Sequence, residues 1–193
     1  MIITKTLTLV AAPVPPFVGT TVRVRIPDDS RTFGLNNLVL VEGSESFTID
    51  WGDGTVQEFA ADADHITHEY PHGGDYEIRI SDGVSSIKQS GSSVQDPDYY
   101  GVYAPMVRSV AANGERLSTI PANAFRHCVN LTYAAFPPVT VVNGRSGTVP
   151  FNECDALTEL HFAAVHEEEI KATLAYKADP PMGAPNATIY FDL

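Results

Sequence analysis

The chain has 193 residues, and its 24 acidic against 12 basic side chains leave a formal net charge of −12. That balance argues against a nucleic-acid partner, because phosphate contacts need a basic patch and the sequence offers none. An apolar content of 44% with mean hydropathy near zero excludes a disordered chain, and no apolar run approaches the length that would span a bilayer.

Fourteen Gly and fourteen Pro imply many turns and therefore β structure, in one large domain or two small ones. Ile2 to Val10 reads as a first strand, followed by a Pro-rich turn over Pro13–Pro16. Thr8 interrupts its apolar run and Pro13 ends it, which argues for a strand over an export signal. In Thr21 to Ile26, Val22, Val24 and Ile26 share one face, with Arg23 and Arg25 on the other. Leu38 to Val41 predicts another short strand.

The next stretch organises the first half. Phe47, Ile49 and Trp51 alternate with Thr48 and Asp50, and Asp53-Gly54 supplies a reversing turn into Val56–Phe59. Ala60 to His65 reads as an acidic loop. Tyr76, Ile78 and Ile80 repeat the alternation, and Asp82-Gly83 predicts a second hairpin into Val84–Ile87. Asp50-Trp51-Gly52-Asp53-Gly54, His68-x-Tyr70 and Gly74-x-Tyr76 together closely resemble the WGDG…HxY…GxY pattern of the polycystic-kidney-disease (PKD) domain family. The resemblance covers about residues 20–90 and implies a small immunoglobulin-like β-sandwich.

A different pattern follows a junction rich in tyrosine. Phe125 and Phe151, Cys128 and Cys154, and Leu131 and Leu157 each lie 26 residues apart. That period falls in the range of leucine-rich repeats. Val107–Val110 and Leu117–Pro121 read as an upstream partial unit that caps the array, since so short a stack needs covered ends. The AFxxCxxLT arrangement resembles the bacterial BspA-like leucine-rich repeats, in which a short strand alternates with a helical turn. Val165 to Tyr176 predicts a capping helix, with Glu167–Glu169 as its solvated start and Val165, Ile170, Leu174 and Tyr176 as its buried stripe. Ala187–Phe191 predicts a final strand.

The expected fold is therefore mixed but mainly β. A PKD-like β-sandwich spans 1–94, a junction spans 95–106, and a short leucine-rich repeat unit with helix and strand cap (an α/β solenoid) spans 107–193.

Several constellations admit a chemical reading. Asp50 and Asp53 flank a tight turn and do not face each other across a cleft, so turn structure outweighs a carboxylate pair for glycoside chemistry. His65, His68 and His72 lack the spacing of a metalloprotease site; in the PKD pattern the His68 position is structural, its ring capping the hairpin or packing near Trp51. Cys128 and Cys154 fall at equivalent positions of adjacent repeats, where parallel side chains disfavour disulfide geometry, so buried free thiols are expected. No catalytic residue, metal site or cofactor is expected. Asn130-Leu-Thr132 and Asn186-Ala-Thr188 match the glycosylation sequon, a frequent chance match. Tyr99, Tyr100 and Tyr103 cluster at the junction, either as a binding surface or as mortar between the halves.

The two resemblances imply a non-enzymatic binding or adhesion protein of a bacterium, displayed or secreted. Its partner would be a protein or carbohydrate on a host or cell surface. The alternative is a structural or receptor-binding component of a (pro)phage particle assembled in the cytoplasm, for which a trimer or higher oligomer is expected.

Overall fold

A computed structural model describes residues 17–40, 44–60, 63–89, 102–145 and 147–193. The expected strand Ile2–Val10, its Pro-rich turn and Tyr99 and Tyr100 lie outside the described residues. The protein is mainly β, with one α-helix among the described residues. No helix there is long and apolar enough to cross a membrane.

The strands are β1 (Gly19–Ile26), β2 (Thr32–Leu40), β3 (Ser46–Asp50), β4 (Val56–Ala60), β5 (Asp64–Glu69), β6 (Gly74–Ser81) and β7 (Val84–Lys88) in the first half. The second half contributes β8 (Val107–Ala112), β9 (Thr119–Ile120), β10 (Tyr133–Phe136), β11 (Val141–Val142), β12 (Glu159–Phe162) and β13 (Thr188–Phe191), with α1 (Glu167–Ala172) before the last strand.

Two sheets cross the boundary between the halves. Among the described residues one has eight strands in the order β13-β12-β10-β8-β1-β6-β3-β4, and the other has five in the order β11-β9-β7-β2-β5. The seam in the large sheet is an antiparallel pairing of β1 with β8, Thr21 opposite Ala111 and Arg23 opposite Ser109, with a bulge at Arg23/Val24. The seam in the small sheet joins β7 to β9 at Ser86 and Thr119. Buried residues of both halves, from Val22 to Ala184, form one contiguous core.

Alternation explains the first half. Val22, Val24 and Ile26 of β1 are buried against the core while Arg23 and Arg25 point to solvent. β6 does the same with Tyr76, Ile78 and Ile80. Two expectations change here. Asp82-Gly83 does not close a hairpin: β6 and β7 belong to different sheets, and neither turn residue has the positive φ that a two-residue hairpin demands. Instead Asp82 accepts backbone N–H bonds from Glu115 and Arg116 of the second half, at 3.5 and 3.3 Å. The interval read as a loop ends earlier than expected, because β5 already begins at Asp64 as an edge strand on β2.

The second half is a stack of parallel strands. β8, β10, β12 and β13 run side by side, with Ser109, Tyr133, Glu159 and Thr188 in one row. Backbone rungs repeat between turns: Thr132 N–H donates to Arg108 O (2.9 Å), Thr158 to Thr132 O (3.1 Å) and Thr188 to Thr158 O (2.9 Å). On the opposite side Phe125 N–H donates to Pro150 O (2.8 Å) and Phe151 to Met182 O (3.0 Å). Asn130 and Asn186, the sequon asparagines, donate their side-chain amides to Pro105 O and Asp155 O, on earlier turns.

The upstream unit does not close this stack alone. β1 covers the β8 edge, so the first half is itself the cap. At the far end the cap is smaller than expected. α1 stops at Ala172 because Thr173 is extended and its hydroxyl takes the Ile170 carbonyl (2.7 Å). Ile170 is buried and Tyr176 half-buried, but Val165, in the 3-10 turn before the helix, and Leu174, beyond its end, are exposed. Lys171 pairs with Glu167 and lies over the Phe191 ring, tying the helix to β13.

Candidate functional site

The sequence motifs divide into two interior clusters, and neither presents reactive groups to solvent. In the first, the β3–β4 turn needs Gly52 and Gly54, whose φ values are +81° and +94°. A Cβ on Gly52 would come within 2.6 Å of the Glu77 carbonyl, so the turn packs directly on β6. Trp51 is fully buried and stacks on the His68 ring at 4.8 Å between centroids. His68 Nε2 donates to Asp53 Oδ2 (2.8 Å), and Asp53 Oδ1 accepts from the Thr55 N–H (2.9 Å). Tyr70 donates to the Trp51 carbonyl (3.1 Å), and its ring contacts both His68 and Tyr76. Asp50 turns to the strand surface and accepts from the Gly52 N–H (3.0 Å), while Gly74 opens β6 opposite Ile26.

Burial raises the Asp53 carboxyl, but the hydrogen bonds from His68 and Thr55 outweigh it and hold the group below the ordinary carboxylate range. The ion is thus held by its partners. His72 hydrogen-bonds through Nδ1 with the Tyr76 hydroxyl (2.9 Å). His68 is committed to Asp53, and the side chain of His65 lies outside the described residues.

The second cluster is the repeat core. Phe125 and Phe151 stack at 5.4 Å and 6° between planes, and Leu131 and Leu157 are fully buried. Cys128 and Cys154 are free and buried, with the Cys154 thiol donating to Phe125 O (3.0 Å). Burial pushes the Cys128 thiol well up and Cys154 up to about 12, so both stay protonated and unreactive. Tyr103, the one junction tyrosine among the described residues, is half-buried. It lies edge-on to Phe33 and over Gly34, so it packs the junction onto β2.

The outer face of the eight-stranded sheet carries charged, hydroxyl and aromatic groups, with Ala135 buried among them. Register sets them in two rows. One runs Thr188, Glu159, Tyr133, Ser109, Arg23, Glu77; the other runs Tyr190, His161, Ala135, Ala111, Thr21, Arg79. At the β13 end His161 stacks on Tyr190 (4.6 Å) and contacts Tyr133 (5.3 Å), its ring nitrogens 2.9 Å from Asp192 and 3.4 Å from Glu159. At the seam, short side chains of Thr21, Ser109 and Ala111 floor a trough of about 340 Å³. Tyr133 walls one side. Arg23 and Arg79 wall the other, both bonded to Glu77 between them (3.0 Å each). Phe17 closes one end with the Arg79 guanidinium over its ring. The Arg79 bonds come first among the influences on Glu77; with those from Arg23 they overcome burial and keep its carboxyl below the ordinary range.

Sequence reasoning placed Arg23 on an outward face but did not assemble this trough. Its floor comes from two strands, β1 and β8, that are far apart in the chain. Alternation on each strand marks a side chain as outward but is silent on which strands are neighbours. No protein-family model, curated protein or solved structure matches the chain.

Proposed function

We propose that this is a non-enzymatic recognition protein, displayed or secreted by a bacterium, that binds a protein or glycan on a host or cell surface through the outer face of its large sheet. In this reading the first half is a PKD-like sandwich and the second a BspA-like leucine-rich repeat stack, fused through shared sheets. The observation that carries it is the outer face itself, where exposed aromatic and charged groups converge on an open trough at the seam. The motif residues support it from the other side. Asp53, His68, Cys128 and Cys154 are all consumed in packing and hydrogen bonding, so the distinctive sequence features build a scaffold and the function is left to a surface.

The test is a binding panel of matrix proteins and glycans, run with the wild-type chain and two outer-face variants. Ala111→Arg fills the trough, and Tyr190→Arg alters the β13 end. Loss of a panel ligand in either variant, at unchanged melting temperature, is the expected result. A ligand bound equally by wild type and both variants overturns the assignment of this face.

A further inference from the structure

Resting on that reading, we propose that the seam trough takes a single carboxylated sugar ring, a uronic or sialic acid unit of an acidic glycan. Size comes first. A space of about 340 Å³ equals about eleven water volumes. That is the scale of a monosaccharide with its substituents and too little for a folded segment.

The walls select the chemistry. His161 contacts the Tyr133 ring from the β12 side, and the same ring lines the trough next to Ser109 on β8. A tyrosine face beside a floor of short hydroxyl and methyl side chains suits the C–H face of a pyranose. Thr21, Ser109 and Glu77 then offer donors and acceptors for its hydroxyls. Charge supplies the carboxylate. Arg23 and Arg79 contribute two guanidiniums and Glu77 one carboxylate, which leaves one net positive charge in the trough of a chain whose net charge is −12. That one unit of positive charge matches one carboxylate, which the guanidinium N–H groups not spent on Glu77 would bond. A phosphate monoester would carry more charge than the trough can balance.

The experiment is calorimetric titration of the full chain with trigalacturonic acid and with sialyllactose, each beside its neutral counterpart, galactotriose or lactose. Binding of one acidic probe at least about tenfold more tightly than its counterpart is expected, a difference of about 1.4 kcal/mol. The probe that binds distinguishes a uronic from a sialic acid source. Arg79→Gln is expected to abolish the preference for the acidic sugar. Tyr133→Ala should weaken acidic and neutral sugars alike, and Tyr133→Phe should restore binding by keeping the stacking face. Equal binding of acidic and neutral probes, or a preference that survives Arg79→Gln, overturns the carboxylate assignment. So does the absence of binding by both acidic probes at millimolar concentration. None of these results decides the outer-face reading, which stands or falls on the panel run with Ala111→Arg and Tyr190→Arg.

Discussion

The two halves of this protein reach one shared core by opposite means. The first half is antiparallel and adds to its share of the core one cluster of unlike groups, in which Trp51, Asp53, His68 and Tyr70 contact one another. The second half is a parallel stack in which the same contact recurs every turn, Phe125 on Phe151 and Thr132 on Thr158. A unique polar cluster is sensitive to the loss of any member, because the remaining partners are left buried and unsatisfied. A repeated ladder spreads its stability over neighbouring rungs. Substitutions in the two regions should therefore behave differently.

The largest effects test whether the halves unfold together. Trp51→Ala in the cluster is expected to cost about 3–5 kcal/mol, and Leu157→Ala in the stack about 2–5 kcal/mol. Because both sheets cross the boundary, each variant should still melt in one calorimetric transition, shifted to lower temperature. Two separated transitions in either variant would show the halves to be independent.

Asp53→Asn sharpens the contrast through pH. The folded carboxyl is held below its ordinary range, so its stabilisation is present above the unfolded value. It is lost as pH falls through the folded value. The substitution should cost about 1.5–3 kcal/mol at neutral pH, the range for a hydrogen bond to a charged group. The gap between variant and wild type should close below about pH 4. Urea titrations at several pH values measure it, and a gap constant down to pH 2 would contradict the bond as its source.

Within the stack, a double-mutant cycle on Phe125 and Phe151 should return a coupling of about 0.5–1.5 kcal/mol for the stacked rings. Zero coupling would reduce the ladder to independent burial. The smallest effect belongs to the surface of the first half. Arg25 and Asp75 pair at 2.7 Å, but both are mostly exposed, so Arg25→Ala should change stability by no more than about 1 kcal/mol. A greater loss by chemical denaturation would mean that the outer face contributes to the fold as well as to binding.

Much of the molecule was legible in its residues. Alternation located β1, β3 and β6 because each buries one face, and the side-chain period of a strand is fixed at two. The expectation that the His68 ring would cap the hairpin or pack near Trp51 followed from the motif, and in the structure it does both. Other features left weaker traces. β5 is an edge strand with mostly polar residues, so its one strongly apolar position, Ile66, does not make a pattern. Leu174 looks like a helix-stripe residue by spacing, yet the helix ends at Ala172, capped by Thr173.

The sequence by itself determined which side chains face inward on β1, β3 and β6, where the tight β3–β4 turn falls and which residues repeat every 26 positions. Those are local or periodic properties, set by backbone geometry within a few residues. Only the tertiary structure decided that β1 lies against β8, that β7 lies against β9, and that Thr21, Arg23, Ser109 and Tyr133 meet in one trough. Strand neighbours are chosen by backbone hydrogen bonds, which every residue but proline can make equally well. The choice therefore rests on the summed packing of the whole core.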